Sequence, residues 1–267
     1  MPDTTSGQAS NPNQPIWHAI FATGDPRLKK YQSFNMRLPS PPRCKLCYAP
    51  YRGLGGWVMK LQNRGPSSKN PLYCSRCDEF LRNFPGGAEV EMTLMFIDVR
   101  GSSRLASDMS PAEFSRAMHS FYAGTFPVIN ANDGFIAEVR GDGVVVTFPP
   151  GFCGPEHAGK AVKTARELLA RPPRAPDGTV LQLGIGVHTG MAYIGTMTGA
   201  GEGVEGVVTL GDAVNLAAHL CAAAQAGEAL VSEASCSLAG DAAGGLDSRE
   251  VPVKSRTARV TARVLRS

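Results

Sequence analysis

The stretch AEVRGDGVVVTF, residues 137–148, holds two short runs of β-forming residues separated by Gly141-Asp142-Gly143. Glycine and aspartate tolerate the positive φ of a tight hairpin turn, so a hairpin with its tip at 141–143 is the first expectation. A carboxylate at such a tip either shapes the turn or holds something, and the flanking sequence bears on which. Upstream, EVEMTLMFIDV (89–99) is a mostly apolar strand that ends in Asp98. Between the two lies SPAEFSRAMHSFYAGTFPVI. Ser110, Pro111 and Glu113 make a capping box with proline at the first helical position. Phe114, Met118, Phe121 and Tyr122 then recur at helical spacing and read as core.

Downstream, a helix is expected over about 155–170, with Ala158, Val162, Ala165 and Leu169 on one face. TVLQLGIGVHTGMAYIG (179–195) reads as a strand with a break near Thr189-Gly190. A helix starting near Asp212 carries Val214, Ala217, Ala218 and Cys221. A short strand ALVS and a small helix follow, and REVPVKSRTARVTARVLRS alternates as one or two strands. The order is β-α-β-β-α-β with additions. It implies an α+β sandwich of the ferredoxin-like type, with helices on one face of a mainly antiparallel sheet. In that topology the first strand lies beside the hairpin, so Asp98 and Asp142 converge at one edge. Carboxylates that close repel unless cations lie between them, the arrangement of two-metal phosphoryl-transfer sites. DVRGSS (98–103) adds backbone N–H groups in a glycine turn, suited to a triphosphate.

The 267 residues suffice for one large domain and a small module, and 43% hydrophobic with 19% charged residues is ordinary soluble composition. No apolar run approaches the roughly 18 residues that span a bilayer. The first fifteen residues have no apolar core to act as a secretory signal. The expectation is a cytoplasmic protein with no membrane span. Residues 1–40, rich in Pro, Ser, Asn and Gln, are expected to be a mobile, disordered tail. The net charge of +4 is uneven: residues 43–82 hold eight Lys or Arg against Asp78 and Glu79, which leaves −2 for the remainder.

Four of the seven cysteines fall in that basic segment, as Cys44-x-x-Cys47 and Cys74-x-x-Cys77 with 26 residues between the pairs. Two such knuckles bring four thiolates onto one tetrahedral ion, which suits Zn²⁺. An iron–sulfur cluster is the main alternative, while disulfides are disfavoured in a reducing compartment. A four-cysteine module over 41–87 is therefore expected, with the second domain over 88–267. Tyr51 and Trp57 among the charges allow nucleic-acid binding. No base-reading helix or RNA-binding signature supports it, and a brace on the next domain is preferred. Cys153, Cys221 and Cys236 have no partner spacing and read as small buried apolar residues.

FIDVRGSS, EVRGDGVVVTF, GIGVHTGMAYIG and LGDAVNLAAHL, in this order from about 91 to 265, together resemble the class III nucleotidyl cyclase catalytic domain. The resemblance implies a two-metal enzyme acting as a head-to-tail dimer, with active sites at the interface. Homodimers and pairing with another cyclase are both open. A 3′-hydroxyl attacks the α-phosphate of ATP or GTP, pyrophosphate leaves and a 3′,5′-cyclic nucleotide forms. Carried over residue by residue, Asp98 and Asp142 match the Mg²⁺- or Mn²⁺-binding aspartates, and Ile97 adds a backbone carbonyl. Phe96 to Ser102, Gly101 included, would line the phosphate side, and Asn215 matches the asparagine that orients the ribose. His188 is common in the family and reads as structural.

Three positions depart from the adenylyl pattern. Glu138 stands where adenylyl cyclases carry lysine, and glutamate there is typical of guanylyl cyclases. Val208 stands at the partner purine position and has no polar group for a base edge, with Thr209 one residue away. His219 stands where the transition-state arginine belongs. Arginine offers a permanent planar fork to phosphate, and losing such a donor costs about 10²–10³ in rate. Arg100, Arg104 and Arg140 are candidate substitutes. Three readings follow: an active cyclase, a silent nucleotide-binding or pairing domain, and a zinc-dependent nucleic-acid-binding protein.

Overall fold

The computed structural model describes residues 11–38, 42–198, 204–253 and 259–266. The chain opens with α1 (Gln14–His18), α2 (Pro26–Met36), α3 (Gly53–Leu61) and α4 (Ser75–Asn83), then enters β1 (Gly87–Val99). There follow α5 (Ser102–Asp108), α6 (Pro111–Ala131), β2 (Phe135–Arg140), β3 (Gly143–Phe148), α7 (Pro150–Cys153) and α8 (His157–Ala170). The long β4 (Leu183–Thr198), β5 (Val204–Leu210), α9 (Asp212–Ala223), β6 (Glu228–Ser232), α10 (Glu233–Ala239), β7 (Asp247–Val251) and β8 (Val260–Arg266) complete it.

The sheet runs β2-β3-β1-β4-β6-β8-β7, with β5 paired to β4 off that path. Every pairing is antiparallel except β4 with β6, so the sheet is mixed. The expected α+β fold and βαββαβ core are present. The capping box also forms: Ser110 accepts from the Glu113 amide, and Glu113 accepts from the Ser110 amide at 2.9 Å.

The structure corrects two expectations about the sheet. First, β4 runs unbroken through Thr189-Gly190. Thr189 is buried but satisfied, its hydroxyl sharing hydrogen bonds with Thr93 (2.8 Å) and Ser235 (2.9 Å). Thr93 in turn meets His157 Nδ1 at 2.8 Å. This polar chain inside the core satisfies the hydroxyls and lets the strand continue where a break was expected. Second, the helices cover both faces of the sheet. The Thr93–His157 contact puts α8 on one face of β1, and α6 packs against α8. On the other face a Cβ at Gly186 would meet Ala217 O and Cys221 N, both at 2.2 Å. Side chains alternate along a strand, so the glycine gap in β4 is what lets α9 lie against that face.

Residues 11–38 also differ from the mobile tail that composition implied. Trp17 is fully buried, donates its indole N–H to Phe84 O at 3.0 Å and stacks on Phe21. Phe21 packs against Phe135 of β2 and Phe152 of α7. Full burial of one such ring contributes about 1.5–3 kcal/mol, enough to anchor a polar segment. Residues 1–10 and 39–41 lie outside the described residues.

Two further features brace the strands that carry Asp98. The chain between α4 and β1 is zipped onto β4, with the Gly86 amide donating to Thr196 Oγ1 (2.8 Å) and the Thr196 amide to Gly86 O (2.7 Å). One row crosses five strands, Gly143–Asp98–Gly184–Glu228–Arg266. Buried Glu228 is clasped there by both Arg249 nitrogens at 2.8 Å, by Arg266 at 3.1 Å and by the Gln225 amide at 3.0 Å. These bonds, Arg249's first, hold its carboxyl at about 2.

Candidate active site

Asp98, near the end of β1, and Asp142, in the β2–β3 turn, reach one cleft. Asp98 lies opposite Gly143 in the β1–β3 ladder, and the Val99 amide donates to Asp142 O at 3.0 Å. The turn takes glycine at 141, where φ is +48°. Tyr122 of α6 ties it down, its hydroxyl donating to Gly141 O. At Gly143 a Cβ would press within 3.2 Å of Ile97 O. The cleft has a volume of about 510 Å³. Phe96, Ile97, Asp98, Arg100, Gly101, Ser102 and Asp142 line it from the β1 and hairpin side, and Ala218, Cys221 and Ala222 from α9.

Burial pushes the Asp98 carboxyl above its ordinary value, and the nearby Asp142 carboxylate adds to that push. Arg100 opposes it from 2.7 Å. Its guanidinium fits because Gly184 has no side chain: a Cβ there would sit 2.5 Å from Arg100 Nε. Ser102, buried at the start of α5, donates its hydroxyl to Asp142 Oδ2 at 2.5 Å. Gly101 caps that helix with φ +75°, a left-handed conformation that glycine adopts without strain.

The metal and phosphate residues named from the sequence are thus brought together, while Asn215, His219, Glu138, Val208 and Thr209 do not line this cleft. Asn215 is exposed and His219 half-buried on α9. Glu138 pairs with Arg140 at 2.7 Å. The Thr209 hydroxyl is buried with no hydrogen-bond partner, and Val208 is half-buried. His188 shares a hydrogen bond with Ser232 at 2.8 Å, in keeping with a structural role. Arg104 pairs with Asp108 at an exposed site. Cys221 is buried as expected, and burial pushes its thiol up to about 12. Its place on the cleft wall has no signal in the sequence. Tyr122, read from spacing only as core, also holds the turn.

The four knuckle cysteines form a second centre. Cys44, Cys47, Cys74 and Cys77 are buried, with their sulfurs all within 4.8 Å of one another. Cys74 caps α4 and Cys77 lies in its first turn. The first knuckle is gripped by α2: buried Gln32 donates to Leu46 O (2.9 Å) and buried Asn35 to Cys47 O (2.8 Å).

A mixed α+β sheet with helices on both faces, and paired aspartates between its first strand and adjacent hairpin, defines the class III cyclase type of catalytic domain. Residues 87–261 match the sequence profile of the adenylate and guanylate cyclase catalytic domain, and the chain belongs to that family. Among curated relatives, an uncharacterized protein of Mycobacterium tuberculosis is 33% identical over 138 residues, covering 51% of this chain and 23% of its own length. The adenylate cyclase of Anabaena cylindrica is 28% identical over 134 residues, covering 48% and 26%. The chain thus spans about a quarter of these relatives. Among solved structures, the adenylyl cyclase CyaB of P. aeruginosa superposes with a TM-score of 0.57 at 25% identity, covering 68% of this chain and 97% of that one. The guanylyl cyclase Cya2 superposes with a TM-score of 0.59 at 23% identity, covering 67% and 93%, a likeness of fold. No helix among the described residues is long and apolar enough to cross a membrane.

Proposed function

We propose that this chain is a nucleotidyl cyclase, converting a purine nucleoside triphosphate to its 3′,5′-cyclic monophosphate and pyrophosphate in intracellular signalling. The observation that carries the reading is the convergence of Asp98 and Asp142, above a glycine turn, on one open cleft. The donors fit divalent cations: two carboxylates and the Ile97 carbonyl are hard oxygen ligands of the kind Mg²⁺ and Mn²⁺ take. Burial pushes the Asp98 carboxyl up and Asp142 adds to that push, and a bound cation would offset both by favouring the ionised form. Asp98, Asp142 and Ile97 would hold two such ions, which when bound polarise phosphate oxygens and favour the ionised 3′-hydroxyl.

The chain's own residues supply the rest. Ser102 orients Asp142 by its hydrogen bond, and Tyr122 fixes the turn that presents it. Arg100 places a permanent positive charge beside Asp98. Asn215 would orient the ribose, and Glu138 with Val208 and Thr209 would meet the base. That these residues stand apart from the aspartate cleft supports a head-to-tail dimer, in which one copy's α9 completes the other's site. Glu138 favours GTP. His219 favours a second reading, a slow or silent domain that binds nucleotide. The knuckle thiols would hold one structural Zn²⁺, and a reducing, cytoplasmic setting would keep them from pairing as disulfides. Incubating the protein with Mn²⁺ and either ATP or GTP, and measuring cyclic product and pyrophosphate, tests the reading. Product that Asp98→Ala abolishes is expected; no product with either nucleotide leaves the silent domain.

A further inference from the structure

The two cysteine knuckles touch the cyclase domain at two places, and each place adjoins a base-facing position. Lys45 lies inside the first knuckle, between Cys44 and Cys47. Its ammonium reaches Ala137 O at 3.4 Å, one residue before Glu138. Tyr73 immediately precedes Cys74 of the second knuckle and is buried. Its hydroxyl accepts from the Val207 amide at 3.1 Å, one residue before Val208. The two contacts span 92 and 134 residues of sequence.

Both strands are irregular where the module touches them. Ala137 falls out of the β2–β3 ladder: Ile136 pairs with Val146 and Glu138 with Val145, so Ala137 is the extra residue of a bulge. Bulges re-aim neighbouring side chains and recur beside active sites. Here the bulge faces a lysine instead of a strand. β5 pairs with β4 alone among the described strands, and Val207 sends its N–H to the Tyr73 phenol. Gly206, with φ +149°, precedes this contact, and a Cβ there would lie 3.4 Å from the Tyr73 oxygen. β2 and β5 also contact each other.

Lys45 and Tyr73 are themselves held by the thiol cluster. The Cys74 amide donates to Cys44 Sγ at 3.3 Å, and Cys47 Sγ lies 3.7 Å from Cys74 Sγ. The second spacing matches the roughly 3.8 Å edge of a tetrahedron built on Zn–S bonds of about 2.3 Å. The Lys45 amide donates to Leu72 O at 3.0 Å, joining the two knuckles just outside the sulfurs. An ion at the centre ties both knuckles together, and with them both contacts on the cyclase sheet.

We propose that the metal module is a working part of the nucleotide site: by seating Lys45 on the β2 bulge and Tyr73 on β5, a tetrahedrally bound Zn²⁺ sets the spacing of Glu138 and Val208, and with it the affinity for the purine. This rests on the cyclase and metal-site readings above. Glu138 stands where the resembling adenylyl enzymes carry lysine, and the module brings its own lysine to the residue beside it.

Lys45→Gln and Tyr73→Phe keep all four thiols and remove one contact each. Three readouts on the full chain test the coupling: zinc per chain by atomic emission, amide hydrogen exchange over 135–140 and 204–210, and KM for ATP and GTP with Mn²⁺. Both variants should retain one zinc. Exchange should quicken in those two segments and not at the centre of β1. KM should rise about 2- to 10-fold, the worth of one hydrogen bond, with kcat much less affected. Releasing the zinc from wild-type protein with a mercurial reagent should quicken exchange in both segments together. Wild-type exchange and KM in zinc-loaded variants would overturn the proposal, as would a wild-type chain that binds no zinc. If wild type turns over neither nucleotide, the cyclase reading fails by itself, and the exchange data still decide whether the module holds β2 and β5.

Discussion

Glu228 offers a quantitative check on the sheet that carries the site. Its side chain is 4% exposed and accepts from Arg249 twice, Arg266 and the Gln225 amide. Its carboxyl is held at about 2, against 4.5 for an ordinary glutamate. A depressed folded value contributes stability above the unfolded value, and that stability is lost as pH falls through the folded one. The window therefore runs from about pH 4.5 down to 2. At about 1.36 kcal/mol per pKa unit, the ionised side chain contributes about 3 kcal/mol at pH 7 and about 1.5 kcal/mol at pH 3. Glu228→Gln removes the charge while keeping the shape. Urea unfolding of wild type and variant at pH 7 should show midpoints about 1 M apart, and the gap should halve by pH 3. A gap that stays constant between the two pH values, or that is absent at pH 7, would refute this account of Glu228. Other carboxylates titrate in this range, but they cancel in the difference between the two proteins. The row through Asp98 and Gly184 means that a loosened β6 should also weaken nucleotide turnover.

Two further outcomes are expected. Gly186→Ala puts a methyl against the α9 backbone and should cost more than about 2 kcal/mol of stability, read by the same urea titration. His219→Arg should raise kcat by up to about 10²–10³, the worth of one donor aimed at developing charge, with KM less changed; an unchanged kcat would remove that residue from the phosphate chemistry.

The aspartate pair is legible in the sequence because each half is local. An apolar run that ends in Asp98 and a Gly-Asp-Gly tip need only strand period and turn chemistry, and the ladder then brings them together. The side of the sheet that takes α9 is not legible. It depends on Gly184 and Gly186 falling on one face of β4, where absent side chains admit Arg100 and the helix backbone. The polar Thr189 reads as a break because its partners Thr93 and Ser235 come from β1 and α10, 96 and 46 residues away. The segment 11–38 reads as a tail because its polarity outweighs two aromatic anchors. Yet buried Gln32 and Asn35 are polar for a reason, as they bond carbonyls of the first knuckle. Nor does any local pattern signal that Lys45 and Tyr73 meet β2 and β5, since both contacts join distant parts of the chain.

The zipper between Gly86 and Thr196 has a consequence for synthesis. Its two ends are 110 residues apart in the chain. At about 5–20 residues per second, the ribosome leaves the first end waiting roughly 5–20 s for the second. The four cysteines precede both ends, so they have emerged by then, and the ion proposed for them would bind during that interval. With that ion bound, the nascent chain would finish its small four-cysteine nucleus first and present a ready-made edge on which the larger sheet closes.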